Sequence, residues 1–166
     1  MHEHVIVRIW IDADACPRDV KDIVFRASAR LQIAVVLVAN KNIAVPLSPL
    51  LSTVRVQGGP DVADDHIAQA AESGDIVVTA DIPLAARLVP KGVAVIDPRG
   101  DVYDEDNVGE RLSVRNFMAD VRDAGVVTGG PGAFSARDKQ RFASALDRTL
   151  TVHQKTAGSQ SAIRRR

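Results

Sequence analysis

Five short apolar runs along the chain predict buried β-strands. The first, residues 5–11, is almost continuously apolar and rich in β-branched side chains, which is typical of a strand covered on both faces. The other four runs are residues 33–39, 52–56, 76–79 and 93–96. The run at 52–56 alternates apolar and polar side chains, so it is predicted to lie nearer an edge of the sheet.

Apolar side chains at three- and four-residue spacing predict five helices between and after these strands. They cover residues 17–31, 61–73, 82–89, 109–124 and 135–150. Strands that alternate with helices are typical of a mostly parallel sheet with helices on both faces. We therefore predict an α/β fold, a single three-layer domain over residues 1–150 with about five strands in its central sheet. Residues 151–166, which end in three arginines, are predicted to be a disordered tail.

Composition narrows the class of protein without indicating a partner. The chain is 46% apolar and 25% charged, and its 21 basic and 21 acidic residues cancel, so net charge predicts no strong attraction to nucleic acid or to anionic membranes. The single cysteine, Cys16, allows no internal disulfide, which fits a reducing cytoplasm. No signal-peptide pattern and no long apolar run is present, so we expect a soluble cytoplasmic protein without membrane contact. The sequence does not indicate an oligomeric state.

Two carboxylates follow the first predicted strand directly. Asp12 and Asp14 lie where ligands bind in open parallel sheets, outside the carboxyl ends of the strands. Mg²⁺ takes oxygen ligands and usually keeps several waters, so two or three carboxylates suffice to bind it. The sequence therefore predicts a site for Mg²⁺ or Mn²⁺. The alternative is an ordinary loop in which one aspartate caps a helix and the other is solvated.

Polar residues also follow two further strands. Thr79 and Asp81 end the run at 76–79 and open a helix, so Asp81 alone would be interpreted as a helix cap. Because two strands of one sheet deliver an aspartate to the same edge, we expect a shared site. Asn40 and Lys41 follow the second strand and, together with Thr79, are candidates for binding substrate at this edge. For Asn40 and Lys41, a turn and a solvated charge are the simpler interpretation.

A third group of acids lies on the predicted helix that follows Gly-Gly-Pro. Asp61, Asp64 and Asp65 fall together, opposite the apolar side of that helix. Taken alone, this cluster indicates a solvated face near the positive end of the helix dipole. Cys16 would need a nearby histidine base for catalysis, and a structural role for both Cys16 and His66 is the simpler interpretation.

Basic residues cluster late in the chain. With helical spacing they could form a stripe facing an anionic substrate, and Arg115 is the candidate substrate-binding residue among them. As charges on amphipathic helices, they need no such role. The residues are Arg111, Arg115, Arg122, Arg137, Lys139, Arg141 and Arg148.

Four ordered segments resemble the uncharacterised YaiI/YqxD family of bacterial proteins: WIDADACP, GGPDVADDHIAQAA, DIVVTADIPLAARL and FSARDKQRFASALDR. The likeness extends over about residues 5–150. This family is grouped with the PIN-like domains, many of which are Mg²⁺- or Mn²⁺-dependent ribonucleases. The resemblance implies that Asp12 and Asp81 are strand-end metal ligands and that Asp14 is an additional acid of the family motif. It also implies one helix carboxylate, supplied by Asp61, Asp64 or Asp65.

Three functions remain open at this point. The first is a metal-dependent nuclease acting on RNA, with Asp12, Asp14 and Asp81 as catalytic residues. The second is a PIN-like fold that serves as a binding or regulatory module without catalysis. The third is a haloacid-dehalogenase-like phosphatase with Asp12 as nucleophile. Cys16 stands where that family usually has threonine or valine, and its later motifs have no clean match.

Overall fold

Strands and helices alternate along the chain in the computed structural model, which describes residues 7–126 and 132–164. The strands are β1 (Ile9–Asp12), β2 (Val35–Ala39), β3 (Leu51–Arg55), β4 (Ile76–Val78), β5 (Ala94–Ile96) and β6 (Val102–Tyr103). The helices are α1 (Arg18–Leu31), α2 (Pro60–Ala70), α3 (Ile82–Leu88), α4 (Val108–Asp123) and α5 (Ala136–Arg164). A 3₁₀ turn, Ala13–Ala15, links β1 to α1.

The six strands form one sheet in the order β3-β2-β1-β4-β5-β6. The first five strands are parallel, and β6 pairs antiparallel with β5. From β1 the chain builds outward through β2 and β3, then crosses to β4 on the other side of β1. The strand order therefore reverses between β1 and β4, and ligands bind at such a switch point in open α/β sheets.

Each face of the sheet has its own core, so the fold has three layers. Ile9 and Ile11 point toward α1 and α5, where Phe142 is fully buried. Trp10 and Val77 point to the opposite face and pack with α2, α3 and the start of α4. This alternation is the period of two that a strand imposes on its side chains. The structure confirms the predicted α/β class.

Asp75 ties β1 to β4 at the amino end of the sheet. Its buried carboxylate accepts hydrogen bonds from the Trp10 indole Nε1 at 3.0 Å, the Arg8 backbone N at 3.1 Å and the Glu72 backbone N at 3.0 Å. A buried carboxylate is tolerated when several donors surround it in this way. These bonds help to fix the alignment of the two strands whose opposite ends meet at the switch point.

Apart from shifts of one to three residues in the bounds of several elements, the sequence predictions and the structure differ at three places. β6 was not predicted, because two residues are too few to show a periodic pattern. β1 begins later than predicted, at Ile9, and residues 5–6 of the predicted strand lie outside the described residues.

The third difference concerns residues 151–166, predicted to be a disordered tail. α5 instead continues to Arg164, and residues 165–166 lie outside the described part. Leu150 is the last buried side chain among those described, so the apolar pattern that predicts a helix ends there. The helix itself continues, and residues 151–164 contain no proline that would end it. None of the described helices is both long and apolar enough to span a lipid bilayer.

Candidate functional site

Asp12 ends β1 and Thr79 directly follows the adjacent parallel strand β4 at the switch point, and their side chains are in contact. The Thr79 hydroxyl donates to Asp12 Oδ2 at 3.0 Å, and the backbone N–H of Asp81 donates to Thr79 Oγ1 at 3.0 Å. Because that N–H uses the hydroxyl oxygen as an acceptor, the hydroxyl proton is left to point at Asp12. Thr79 is 1% exposed. It is therefore a positioning residue for Asp12, and its burial argues against the predicted contact with substrate.

Asp81 caps α3, as its position before a helix predicts. Its Oδ1 accepts a hydrogen bond from the Leu84 backbone N at 2.8 Å. The charge of the same carboxyl group, and hydrogen bonding to it, raise the pKa of Asp64 on α2. Asp81 is thus both a helix cap and a member of an acidic site.

Asp64 is the acid of α2 that faces the strand ends. Burial, together with the charges of Asp81 and Asp12 and the hydrogen bond to Asp81, raises the pKa of Asp64 to about 7. Burial is also the chief cause that raises the pKa of Asp12, against the opposing hydrogen bond from Thr79. The charges of Asp81 and Asp14 raise the pKa of Asp12 further. Acids in this state repel one another, and a cation or a proton relieves that repulsion.

The other two acids of α2 contribute less to the site. Asp65 Oδ1 accepts a hydrogen bond from Arg87 Nη1 on α3 at 2.6 Å, in a partly exposed ion pair. Asp61 is exposed and acts on Asp64 only as the smallest of the resolved charge effects. The structure therefore brings Asp64 to the strand ends and turns Asp65 toward Arg87, a choice that the sequence left open.

Asp14 and Asn40 extend the polar edge toward β2. The Asn40 backbone N–H donates to Asp14 Oδ2 at 2.7 Å, which links the turn after β1 to the end of β2. The side-chain oxygen of Asn40 is buried and has no hydrogen-bond partner among the described residues. Most buried polar atoms are paired, so this oxygen is a candidate for contacting a ligand. Lys41 is exposed next to it, and its binding of substrate stays a prediction.

These oxygen donors suit a hard divalent cation, although they do not form a ready-made cage. Among residues 7–126 and 132–164, no group of three or more His, Cys, Asp or Glu side chains is placed to hold a metal ion. Mg²⁺, however, is usually bound through one or two carboxylates together with waters and substrate phosphates. Asp12, Asp64 and Asp81 fit that manner of binding, and metal binding stays a prediction.

Asp97, which the sequence interpretation did not single out, ends β5 at the same edge of the sheet. β5 lies beside β4, and the Thr79 backbone N donates to the Ile96 carbonyl at 3.1 Å. Burial raises the pKa of Asp97, opposed by the hydrogen bond from the Arg99 backbone N, and the Asp101 charge raises it further. The charged side chains that act on Asp97 therefore include Arg99 and Asp101, which lie in the loop after β5. The signal that could have found it, an apolar strand followed at once by aspartate, is the one that indicated Asp12.

The late basic residues do not form a single stripe. Arg111 and Arg141 both pair with Asp101, at 3.4 and 3.0 Å. Lys139 lines an open groove of about 740 Å³ between α1 and α5, and Arg148 lines a smaller one of about 270 Å³ beside α5. The remaining three are exposed on α4 and α5: Arg115, Arg122 and Arg137.

Cys16 and His66 are placed as structural residues. Cys16 is buried, and burial raises the pKa of its thiol to about 12 despite the opposing charge of Lys21. A thiol with that pKa supplies almost no nucleophilic thiolate at neutral pH. The His66 ring packs edge-on against Trp10, with 6.2 Å between the ring centroids.

Fold and site together define an open α/β protein with an acidic site at its topological switch point. A family model described as "Uncharacterized BCR, YaiI/YqxD family" matches residues 10–152. The chain therefore belongs to the YaiI/YqxD family, as its motifs predict. The further grouping with PIN-like domains stays a prediction.

Relatives of nearly full length support this membership. The UPF0178 protein of Trichlorobacter lovleyi is 60% identical over 152 residues, which cover 92% of this chain and 99% of the relative. The UPF0178 protein of Myxococcus xanthus is 58% identical over 150 residues, covering 90% and 98%. That of Syntrophobacter fumaroxidans is 54% identical over 153 residues, covering 92% and 100%. No solved structure matches the chain.

Proposed function

We propose that the protein is a divalent-metal-dependent nuclease that hydrolyses phosphodiester bonds in RNA. The observation that carries the proposal is the convergence of Asp12, Asp64 and Asp81 from three separate elements at the switch point of the sheet. Carboxylates that repel one another at a ligand-binding edge lower the stability of the metal-free protein. A bound cation would offset that loss.

Asp12, Asp64 and Asp81 would hold Mg²⁺ or Mn²⁺, with Asp14 contributing negative charge beside them. Such an ion supplies Lewis-acid polarisation of the scissile phosphate and lowers the pKa of a bound water. The hydrogen bond from Thr79 favours the ionised form of Asp12 and fixes its orientation. Asn40, with its buried unpaired oxygen, lies on the β2 side of the same edge as a candidate for contacting substrate.

A cleavage assay tests this function. A fluorescently labelled single-stranded RNA is incubated with the wild-type protein in Mn²⁺ and in EDTA, and with the Asp12→Asn, Asp81→Asn and Asp65→Asn variants. We expect cleavage by the wild type in Mn²⁺ alone, with a loss of at least about a hundredfold in the first two variants because they remove charge from the reacting centre. Asparagine is also a good N-cap, so Asp81→Asn preserves the start of α3.

Asp65→Asn is the matched control, because Asp65 lies on the same helix as Asp64 but pairs with Arg87. It should retain cleavage. Cleavage that survives both Asp12→Asn and Asp81→Asn, or that persists in EDTA, would contradict the proposal. A phosphorylated Asp12 trapped with a phosphate ester would favour the phosphatase instead. Metal binding without hydrolysis of RNA would favour the binding module.

A further inference from the structure

Charge is distributed unevenly between the two helical layers, although the net charge of the chain is zero. On one face of the sheet, α1 and residues 136–150 of α5 carry eight basic and four acidic side chains. On the other face, α2, α3 and α4 carry four basic and six acidic side chains. The layer formed by α1 and α5 is therefore the positive side of the molecule, and it is the side that attracts a polyanion.

Three arginines form a line along the exposed side of α5. Arg137, Arg141 and Arg148 fall within about 40° of one another around the helix axis, and all three are exposed. The buried Leu146 lies on the opposite side of the helix. Because each residue advances a helix by about 1.5 Å, the three arginines span about 16 Å. Arg137, Arg141 and Arg148 are called the α5 arginine line below.

The two acids in this part of α5 do not neutralise the line, because arginines outside the line engage them. Asp138 Oδ2 lies 2.9 Å from Arg99 Nη1 in the loop after β5. Asp147 Oδ1 lies 4.0 Å from Arg30 Nη2 on α1. The exposed side of α5 therefore keeps its positive charge.

The members of the line differ in how they are held. Arg141 Nη2 donates to Asp101 Oδ1 at 3.0 Å, which orients the guanidinium and leaves its other donors available. Arg137 and Arg148 form no ion pair with any residue in the described parts of the chain. Two uncompensated charges and one partly compensated charge therefore face solvent.

The loop after β5 connects the line to the edge of the sheet that holds the candidate site. Asp97 ends β5 at that edge, and its backbone N donates to the Asp101 carbonyl at 2.8 Å. Gly100 lies directly against α5, since a Cβ atom there would be 2.7 Å from the carbonyl carbon of Arg141. The φ of Gly100 is +99°, so both the space and the backbone favour glycine. A chain bound at the strand ends could thus continue along α5.

A small open groove of about 270 Å³ lies beside Gly100 and α5. Arg141 and Arg148 line it together with the side chains of Gln140 and Ser144. All four side chains can donate hydrogen bonds, and such donors are typical contacts to phosphate oxygens. The groove therefore adds neutral donors to the charges of the line.

We infer that the α5 arginine line binds the phosphates of an RNA strand that extends from the acids at the strand ends. This inference rests on the proposed function. Arginines spread along a helix suit a polyanion, because tight binding of a single phosphate needs donors that converge on it. The line contains no aromatic side chain on which a base could stack. Its contacts are therefore to the backbone, and they carry no information about the base sequence.

Fluorescence anisotropy tests the inference with a fluorescein-labelled oligouridylate of about twelve nucleotides, within the site sizes of single-strand binders. EDTA is present throughout, so that binding is measured without cleavage. The double variant Arg137→Gln/Arg148→Gln removes both uncompensated charges and breaks no ion pair, so it should fold. Each phosphate contact to a single strand contributes about 0.7 to the slope of log affinity against log salt. We expect this slope to fall by about 1.4 and the affinity at 0.1 M salt to fall about 25-fold.

Arg115→Gln/Arg122→Gln is the matched control, because it changes the net charge equally on α4, in the opposite layer. Arg115 contacts only the Asn116 side chain, and Arg122 forms no ion pair within the described residues. At 0.1 M salt the Debye length is about 10 Å, so charges on the far layer are screened from the line. The control should therefore stay within about twofold of the wild type, with both variants folded by circular dichroism.

Three results would overturn the inference. The first is absence of RNA binding by the wild type. The second is an equal loss of affinity in the two double variants, which would show that binding follows net charge alone. The third is unchanged affinity in the α5 variant, and a lower molecular mass of that variant in light scattering would then assign the line to contact with a second copy of the chain.

Failure of this inference and failure of the nuclease proposal are distinguishable. Binding that depends on Arg137 and Arg148 but is never followed by cleavage in Mn²⁺ would support the α5 arginine line and contradict the nuclease. Cleavage that depends on Asp12, with affinity indifferent to the α5 double variant, would support the nuclease and overturn the α5 arginine line.

Discussion

Thr79 shows how one buried hydroxyl can determine the state of an acid in the site. Its hydroxyl accepts a hydrogen bond from Asp81 N and donates one to Asp12 Oδ2. Thr79 therefore connects the start of α3 to the end of β1. The sequence indicates Thr79 as a polar residue at the end of a strand and a candidate for contacting substrate, not as a partner of Asp12. Its orientation becomes clear when β1 and β4 are known to be neighbours.

Replacing Thr79 tests this role. Thr79→Val keeps the shape of the side chain but leaves Asp12 Oδ2 without its donor, so the pKa of Asp12 should rise further. We expect Mn²⁺ affinity to fall by about tenfold or more, as is typical when a group supporting a metal ligand is removed. Thr79→Ser keeps the hydroxyl and should retain most of the affinity. Calorimetry that gives Thr79→Val the wild-type affinity would show that Thr79 does not position Asp12.

Asp64 makes the stability of the metal-free protein depend on pH. Its pKa is raised from 3.8 to about 7 in the folded protein. Between those values the folded state binds more protons than the unfolded state, so stability falls as pH rises. This contribution is fully present below about pH 4 and is lost as pH rises through about 7.

The measurement is the free energy of unfolding in EDTA, obtained from urea titrations at about pH 5 and about pH 8. Asp64→Asn should show a smaller loss of stability over this interval than the wild type, because it removes the group that titrates. Asp65→Asn should behave as the wild type does. The same pH dependence in all three proteins would mean that Asp64 is not held in the site.

At the scale of elements, the sequence predicts well wherever burial follows the repeat of a strand or a helix. Buried parallel strands are apolar on both faces, so four of the five predicted strands stand out as nearly continuous runs, whereas the edge strand β3 alternates apolar and polar side chains. The acids of α2 were harder, because helical spacing puts Asp61, Asp64 and Asp65 on one side. Asp65 is distinguished from Asp64 only in the folded protein, where it forms an ion pair with Arg87.

Helix α4 shows a limit of the same reasoning. Its spacing predicts an amphipathic helix, and the helix forms, but Val114 and Phe117 on its apolar side are exposed. A periodic pattern reports that a helix has an apolar face and says nothing about what covers that face. The structure was therefore needed to show that part of the apolar face of α4 is exposed.

The junction between β1 and β4 gives a prediction about stability. Asp75→Ala would leave the Trp10 indole N–H and the backbone N–H groups of Arg8 and Glu72 without their acceptor. Each buried donor left unpaired costs about 1–3 kcal/mol, so we expect a loss of about 3 kcal/mol or more in the free energy of unfolding. Urea unfolding measures this loss directly. A loss below about 1 kcal/mol would show that water replaces the carboxylate at little cost.

For the whole molecule, the decisive feature is the sheet order, which places the ends of β1 and β4 side by side. The sequence indicates that both strands end in polar groups, and a parallel sheet brings their carboxyl ends to one edge. It does not indicate that the two strands are neighbours, because β2 and β3 intervene along the chain. Only the fold shows that β1 and β4 are neighbours. This pairing explains why Asp12 and Asp81 share a site although they are far apart in sequence.

The measurement that tests a cation site at these acids most directly is calorimetric titration of Mn²⁺ into the wild-type protein and the Asp12→Asn, Asp81→Asn and Asp65→Asn variants. We predict saturable binding to the wild type and to Asp65→Asn, and loss of binding in both other variants, with all four proteins folded by circular dichroism. No binding to the wild type, or binding that is indifferent to Asp12→Asn and Asp81→Asn, would contradict a metal site at the switch point.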